Sequence, residues 1–250
     1  RNQVEKVDRS TPTGGNYVSA PSNYFFANTI YNSLYVYKYA GMTNGYPIFL
    51  DEKGNPNVTF DANGTPTILG INSPLAIQRA GSLTPTFNGS FNQTIRYKSF
   101  ELGAMFIFYG GNKLRRDVLD LSGTTQTDVD LVNRWTESNP NTTIPRLELD
   151  YPNVLKPSAL TLSSLYRYAD IQVASASFVR LRNISFSYAV PKSFLKKLSL
   201  QQVKITAQAN NPFLWAAAGD DIDPETYSLN SGTRNLNTPK SYLLGLAVTF

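Results

Sequence analysis

The stretch FNGSFNQTIRYK, residues 87–98, alternates between two kinds of side chain. One parity is mainly apolar and consists of Phe87, Gly89, Phe91, Gln93, Ile95 and Tyr97. The other parity is polar throughout and consists of Asn88, Ser90, Asn92, Thr94, Arg96 and Lys98. Successive side chains of a β-strand point to opposite faces of its sheet, so a period of two predicts a strand. That strand has one apolar face and one wet face.

Two stretches near the C-terminus repeat this alternation. Residues 202–210 have apolar side chains at every second position, namely at Val203, Ile205, Ala207 and Ala209. The last ten residues do the same, interrupted only by Leu243, with apolar side chains at Tyr242, Leu244, Leu246, Val248 and Phe250. Both patterns predict strands that are apolar on one side.

Three less regular stretches also favour strands: residues 29–39, 100–109 and 178–190. The third stretch changes parity, because Val179 and Leu181 are odd-numbered whereas Ile184 and Phe186 are even-numbered. A β-bulge inserts one residue into a strand and so shifts the parity that faces one side. We therefore predict a bulge near Asn183.

The connections between these strands alternate between long and short. Residues 41–86, 110–177 and 211–240 form the long ones, and residues 98–99 and 191–199 the short ones. Strands of about ten residues, tilted by about 45°, rise roughly 23 Å, which matches the apolar band of an outer-membrane barrel. Such barrels have long extracellular loops and short periplasmic turns. The pattern predicts an all-β, transmembrane antiparallel β-barrel whose last strand descends, so that Phe250 ends at the periplasmic side.

Composition excludes several classes of protein. The chain contains no Cys and no His, which leaves no usual zinc site, no imidazole-activated nucleophile and no histidine-ligated haem. Only 16% of its residues are charged, against roughly 25% in an average soluble domain, while Phe and Tyr number 14 and 15. The sequence contains no run of about 20 apolar residues, so it predicts no transmembrane helix. We expect no enzyme, no cofactor, no metal site and, because the basic residues are scattered, no nucleic-acid partner.

Four stretches resemble, in this order, the SusC/RagA family of TonB-linked outer-membrane proteins of the Bacteroidetes. They are YVYKYAG with GYPIFLDEKG (residues 35–41 and 45–54), GSLTPTFNGSFN with RYKSFEL (81–92 and 96–102), SFVRLRNI continued to NNPF (177–184 and 210–213), and DPE with the terminal GLAVTF (223–225 and 245–250). The resemblance implies that residues 1–250 are the C-terminal portion of a 22-stranded barrel. It places the plug domain, the TonB box and the signal sequence outside this chain.

The resemblance also implies a function. Family members import a nutrient across the bacterial outer membrane with energy from TonB, which contacts the missing N-terminal part, and they act with a SusD-like surface lipoprotein. The expected substrate is a small oligosaccharide, with a peptide as the second choice. Two alternatives stay open from the residues alone: a soluble or surface glycan-binding β-sandwich, and a passive porin. A sandwich would enclose residues such as Phe91, Ile205 and Leu246 between two layers.

Three groups of residues are candidates for function. Aromatic residues in the long connections could stack on a sugar or anchor a partner, or could simply pack locally: Trp135, Tyr151, Trp215 and Tyr227. Polar residues of the wet face are expected to face the lumen or the plug, or only water: Asn88, Arg96, Lys98, Lys204 and Gln208. The C-terminal residues resemble the signal that the outer-membrane insertion machinery recognises, the alternative being an ordinary lipid-facing last strand: Tyr242, Leu244, Leu246, Val248 and Phe250.

Two features of the long connections receive a plainer interpretation. Asp220, Asp221, Asp223 and Glu225 have oxygens that could bind calcium, but they lack the glycine and ordered loop of a calcium motif, so we expect a solvated loop. Within residues 110–177, Thr127 followed by residues 128–137 predicts a short capped helix with Leu131 and Trp135 on one face.

Overall fold

The structure is a computed structural model that describes residues 3–5, 12–119, 121, 129–147, 150, 156–196 and 199–250. The described strands are β1 Gln3–Val4, β2 Thr29–Ile30, β3 Ser33–Tyr37, β4 Tyr39–Thr43, β5 Tyr46–Phe49, β6 Val58–Phe60, β7 Pro66–Ile68, β8 Ile77–Ser82, β9 Phe87–Tyr97, β10 Phe100–Gly110, β11 Lys113–Arg115, β12 Val173–Ser175, β13 Phe178–Ala189, β14 Gln202–Ala216 and β15 Ser241–Thr249. The helices are α1 Gly14–Ser19, α2 Lys156–Arg167 and α3 Lys192–Leu195, with short 3-10 turns at Pro74–Ala76, Val129–Asn133 and Asp170–Gln172.

The chain folds as two units. The first, which we call the hairpin unit, comprises residues 1–84, 113–174 and 229–233. The second, the sheet unit, comprises residues 85–112, 175–228 and 234–250. In the part of the chain that the structure describes, no helix has both the length and the apolar character needed to cross a membrane.

The sheet unit is built on one five-stranded antiparallel sheet in the order β15-β14-β13-β10-β9. Each strand therefore lies beside the next long strand of the chain, as in an up-and-down meander. Strands β9 and β10 are joined by the dipeptide Lys98-Ser99, in which Lys98 has φ 52°. The predicted long strands are confirmed, with 11 residues in β9, 11 in β10, 12 in β13, 15 in β14 and 9 in β15.

The predicted bulge in β13 is confirmed. Leu181 lies opposite Phe106 and Asn183 opposite Met105, so Arg182 is the extra residue relative to β10. On the other side, the register between β13 and β14 shifts at the same place, between Leu181 and Asn183. The shift brings the odd-numbered Val179 and the even-numbered Phe186 to the same face, which explains the change of parity in the sequence.

Strand β14 is longer than the sequence predicted. We expected it to end at Asn210, but it continues to Ala216. Asn211 has φ 50°, a conformation that Asn tolerates better than most residues, and Pro212 follows it within the irregular stretch of the ladder. A proline inside a sheet is tolerated at a bulge because its missing N–H is not needed there. The strand therefore passes through Pro212.

The hairpin unit corrects two expectations. The expected strand 29–39 is divided, because Asn32 adopts φ 59° between β2 and β3. The expected long connection 41–86 is not irregular: it contains the rest of the β4–β5 hairpin, the β6–β7 hairpin and β8, which pairs with β3. At the turns after residues 51 and 61, the carboxylates of Asp51 and Asp61 accept hydrogen bonds from backbone N–H groups two and four residues on. Each carboxylate thereby closes a tight turn.

An aromatic core holds the hairpin unit together. Tyr17 stacks on Phe26 with ring centroids 4.1 Å apart, and Tyr35 meets Phe26 edge-on at 5.2 Å.

The predicted helix after Thr127 is shorter than expected, since only Val129–Asn133 forms a 3-10 turn. Its proposed cap, Thr127, lies outside the described residues.

Candidate functional site

One face of the five-stranded sheet, which we call the outer face, is apolar over its height except at Gln93. Directly opposed residues of antiparallel strands share a face, so the register groups the side chains. The large apolar residues of the outer face are Phe87, Phe91, Ile95, Tyr97, Phe100, Leu102, Phe106, Phe108, Val179, Leu181, Ile184, Phe186, Tyr188, Val203, Ile205, Phe213, Trp215, Tyr242, Leu244, Leu246 and Val248. No paired position on this face is Asp, Glu, Lys or Arg.

The outer face is exposed. Phe91 is 56% exposed, Ile95 58% and Leu246 67%, and neither Ile205 nor Val248 is buried. No second layer formed by described residues encloses them, as a β-sandwich would require. An exposed apolar surface of this extent marks an interaction surface, either with a membrane or with another protein.

Aromatic side chains concentrate at the two ends of the outer face. Near the Lys98-Ser99 turn, Phe100 stacks on Tyr188 at 4.7 Å and on Phe186 at 5.7 Å. At the opposite end, Phe108 lies opposite Val179, which in turn lies opposite Trp215. Aromatic residues favour both membrane–water interfaces and form girdles around outer-membrane barrels.

The placement of Trp215 corrects an expectation. The sequence placed it in a long loop, but it belongs to β14, lies on the outer face and is 50% exposed. Its parity, with Phe213 two residues before it, was the available signal, and the expected loop boundary at Asn211 obscured that signal. Trp215 is therefore a boundary residue of the apolar face and not a loop aromatic.

The opposite face of the sheet, the inner face, carries the polar side chains. Arg96 forms an ion pair with Glu101 at 2.5 Å on the neighbouring strand, and Asn183 donates a hydrogen bond to Asn210 at 2.8 Å. Four predicted polar residues lie on this face, namely Asn88, Arg96, Lys204 and Gln208. Lys98 does not, because it occupies the tight turn, where its ammonium lies 5.2 Å from the Tyr97 ring. Their roles toward a lumen or a plug stay predictions.

A buried ion-pair cluster ties the connection 217–240 to the inner face. Arg180 of β13, whose side chain is 2% exposed, donates a hydrogen bond to Asp223. Its Nε also lies 2.5 Å from a Glu225 oxygen, an ion pair without the geometry of a directed hydrogen bond. Arg182, at the bulge, donates hydrogen bonds to Glu225 and to the Asn211 side chain. Two arginines of one strand thus hold two carboxylates of the connection.

The charge state of Asp223 follows from these contacts. Burial alone would raise the pKa of its carboxyl group. The hydrogen bonds from Arg180 and from the backbone N–H groups of Thr238 and Glu225 outweigh burial and hold this pKa below its ordinary value. Asp223 is therefore a carboxylate that the surrounding donors stabilise.

The sequence missed this cluster. We interpreted residues 220–225 as a solvated acidic loop, but Asp223 is buried and Asp221 pairs with Arg234 at 2.7 Å. Among the described residues, no group of acidic side chains has the arrangement of a metal site. The sequence signal for this cluster was the pair Arg180 and Arg182, two charged residues at alternate positions in a strand with many apolar residues. However, no sequence spacing links residue 180 to residue 223.

The remaining aromatic candidates differ from one another. Tyr227 is buried in the connection 217–240 and cannot present its ring to a ligand. Tyr151 lies outside the described residues. Trp135, in the hairpin unit, is half-buried and lines a pocket of about 250 Å³.

The C-terminal strand lies as its pattern predicted. Tyr242, Leu244, Leu246 and Val248 of β15 share the outer face, and Phe250 follows the strand and is 81% exposed. Recognition of these residues by the insertion machinery stays a prediction.

Known proteins resemble this chain in sequence. The TonB-dependent receptor P3 of Formosa agariphila is 35% identical over 160 residues, which are 63% of this chain and 14% of that protein. The TonB-dependent receptor P39 of the same organism is 25% identical over 221 residues, which are 84% of this chain and 19% of that protein. The matched segments thus cover less than a fifth of the length of either relative. No family model matches the chain.

Solved structures resemble it in fold. The RagAB peptide importer in its closed-closed state aligns over 99% of this chain and 26% of its own with a TM-score of 0.69 and 21% identity. The open-open state gives a TM-score of 0.62 and 20% identity over 99% of this chain and 25% of its own. The structure of the RagAB peptide transporter gives 0.61 and 23% identity over 87% of this chain and 23% of its own. At these identities the similarity shows a shared fold.

Proposed function

We propose a function for this chain on the premise that it belongs with the SusC/RagA-type TonB-dependent receptors of the outer membrane. The chain forms part of the wall of a barrel, and a nutrient is actively imported through that barrel. The observation that carries this proposal is the outer face: exposed, apolar, without a charge at any paired position, and backed by a polar inner face. Such a sheet fits an environment that has lipid on one side and water or protein on the other.

The barrel that we propose has 22 strands, of which residues 1–250 supply the C-terminal portion. Eleven residues at about 3.3 Å each, tilted by about 45°, rise about 25 Å, the height of the apolar band. Within the described residues, β9 and β15 each have one unpaired edge, which further strands would complete. The plug domain and the TonB box belong to the part of the receptor outside this chain.

The substrate and partners follow from the family. We propose a small oligosaccharide, with a peptide as the alternative that the RagAB names favour. A SusD-like surface lipoprotein would cover the long connections, and TonB would act through the plug. The import moves its substrate without making or breaking covalent bonds, so no catalytic residue is assigned.

Uptake measurements test the proposal. Cells that depend on this protein are given a radiolabelled oligosaccharide, and uptake is compared with and without a functional TonB. We expect uptake to fall to background when TonB is lost, because opening of the plug needs that energy. Uptake that is unaffected by the loss would favour a passive porin.

A second measurement tests the alternative of a soluble sandwich. A barrel wall needs detergent to stay monodisperse after extraction, since its outer face is apolar. A protein that is monodisperse without detergent and absent from outer-membrane fractions would refute the proposal.

A further inference from the structure

One end of the five-stranded sheet is rich in positive charge. This end, which we call the short-turn end, consists of residues 96–101, 186–205 and 246–250, and it contains a single acidic residue, Glu101. Its basic residues are Arg96, Lys98, Lys192, Lys196, Lys197 and Lys204, of which Lys197 lies outside the described residues. At the opposite end, the connection 217–240 has four acidic residues and two basic ones. The two ends of the sheet therefore differ in charge.

Backbone hydrogen bonds hold the segments of the short-turn end side by side. The Ala189 N–H donates to the Ser99 carbonyl at 2.8 Å, and the Gln201 N–H donates to the Thr249 carbonyl at 2.8 Å. Neighbouring strands of a sheet lie about 4.8 Å apart. The turn at Lys98-Ser99 and the segment around α3 are therefore neighbours along one edge of the sheet.

The inner face accounts for two of the basic residues. Arg96 pairs there with Glu101, and Lys204 lies on the same face. The other described lysines of this end are exposed, and they form no ion pair with any residue that the structure describes: Lys98, Lys192 and Lys196. Their charges are available to a partner outside the chain.

Aromatic side chains place this end at the level of lipid headgroups. Tyr97 is exposed on the outer face, and the Lys98 ammonium lies 5.2 Å from the centre of its ring. Phe194 of α3 is also exposed, whereas Leu195 beside it is buried. Aromatic rings favour the boundary between hydrocarbon and water, and a lysine at that boundary extends its ammonium toward the headgroups. The Lys98 ammonium thus lies on the side of the sheet that faces lipid in the proposed barrel.

The chemistry of this end selects the ligand. An exposed ammonium without a carboxylate partner attracts an anion, and an exposed ring beside it favours apolar surroundings. A phospholipid with a net negative headgroup, such as phosphatidylglycerol, offers a phosphate and acyl chains in one molecule. The headgroup of phosphatidylcholine contains a quaternary ammonium, which weakens the attraction of its phosphate for lysine. An acidic protein would offer negative charge, but in the proposed barrel the rings of the outer face border lipid.

We propose that the short-turn end binds anionic phospholipids of the periplasmic leaflet, with Lys98, Lys192 and Lys196 on headgroup phosphates, Phe194 at headgroup depth and Tyr97 against the acyl chains. The inference rests on the proposed barrel and its orientation, and it adds a lipid preference to one end of the wall. The opposite end, where the connection is acidic, has no such preference.

Fluorescence quenching beside α3 tests the inference. The full-length receptor receives a bimane label at Ser193→Cys, an exposed position between Lys192 and Phe194, and the receptor without this substitution measures background labelling. The labelled protein is reconstituted in phosphatidylcholine vesicles that contain a minor fraction of doxyl-labelled lipid. The doxyl lipid has either a phosphatidylglycerol or a phosphatidylcholine headgroup on the same acyl chains. We expect phosphatidylglycerol to quench about two- to five-fold more strongly at low salt, and high salt to reduce this preference by screening.

Lysine variants of the labelled protein identify the binding groups. Replacing Lys98, Lys192 and Lys196 together by Gln should abolish the preference, so that the two lipids quench equally, and Lys98→Gln alone should weaken it. The matched control for the single variant is Lys240→Gln, which removes an exposed lysine at the opposite end of the sheet, directly before β15, and should leave the preference unchanged.

Three results would overturn the inference. They are equal quenching by the two lipids before any lysine is replaced, a preference that survives the loss of all three lysines, and no quenching by either lipid, which would place α3 away from the membrane and favour an acidic protein as its partner. None of them touches the import itself, since only uptake that persists without TonB would refute that.

Discussion

Asp223 shows how one residue acquires a role that its neighbours in sequence do not reveal. Asp223 is one of the four acidic residues within 220–225, and it is the only one of the four that is buried. Its carboxylate accepts hydrogen bonds from Arg180 and from two backbone N–H groups. A buried arginine that loses its carboxylate is costly, about 3–5 kcal/mol when a buried pair is broken from one side. Asp223 therefore holds the connection 217–240 against β13.

Replacing Asp223 tests this role. In Asp223→Asn, we expect the connection to be released, because Arg180 keeps only its ion pair with Glu225. Limited proteolysis at neutral pH should cleave within residues 217–240 at least ten times faster than in the wild type. The control is Asp221→Asn, which removes an equivalent carboxylate from an exposed pair with Arg234 and should change the rate less than two-fold.

Acid should have the same effect on the wild type. Because the folded-state pKa of Asp223 lies below the unfolded value, its carboxylate stabilises the fold above the unfolded pKa, and this stability is lost as the pH falls through the folded pKa. Pepsin cleavage of the connection should therefore accelerate below about pH 3.8 in the wild type. Asp223→Asn should lack this acceleration, and an identical acceleration in the variant would contradict the assignment.

In strand β15, too, the position of a side chain in the fold decides its role. Leu243 and Leu244 are adjacent and chemically identical, yet Leu243 lies opposite Gln208 on the inner face and Leu244 opposite Ala207 on the outer face. On the lipid side of a barrel, an arginine costs up to about 2–4 kcal/mol at the midplane and less near the interfaces. The inner side tolerates charge, since water or protein is there.

The pair provides a prediction with its own control. We expect Leu244→Arg to destabilise the protein folded in liposomes by up to about 2–4 kcal/mol, measured by denaturant titration, and to reduce the amount in the outer membrane. Leu243→Arg should change stability by less than about 1 kcal/mol. Equal losses from both substitutions would mean that both faces of β15 are buried in protein, which would argue against a lipid-facing wall.

For the whole molecule, the alternation of connections defines two sides. The chain between β14 and β15 spans residues 217–240, whereas β9 and β10 are joined by two residues and β13 and β14 by a short stretch around α3. If the long connections are extracellular, Leu236 lies outside the cell and Phe194 in the periplasm. Both side chains are exposed, at 94% and 67%.

Cysteine labelling tests this sidedness, because the chain has no native cysteine. On intact cells, a membrane-impermeant maleimide should label Leu236→Cys and leave Phe194→Cys unlabelled, while both should react after lysis. The wild-type protein reports any background from the rest of the receptor. Labelling of Phe194→Cys alone on intact cells would reverse the proposed orientation.

The pattern of residues along the chain was enough to predict the five long strands of the sheet, the faces of most of their side chains and the bulge in β13. It could do so because these properties depend on a period of two, which is local and can be counted along the chain. Prediction failed where local signals were ambiguous: the strand expected to end at Asn210 continues to Ala216, and the expected long connection 41–86 contains the β6–β7 hairpin and β8.

Which distant residues meet depends on the packing of the folded chain. Nothing between residues 180 and 223 specifies the ion pair of Arg180 with Asp223, and nothing in the spacing brings Trp135 onto Gly45. Both contacts depend on how long connections fold back onto strands, and the free energy of that folding is spread over many nonlocal contacts. Periodicity determined the two faces of the five-stranded sheet, whereas the packing of distant segments determined the contacts that anchor its long connection.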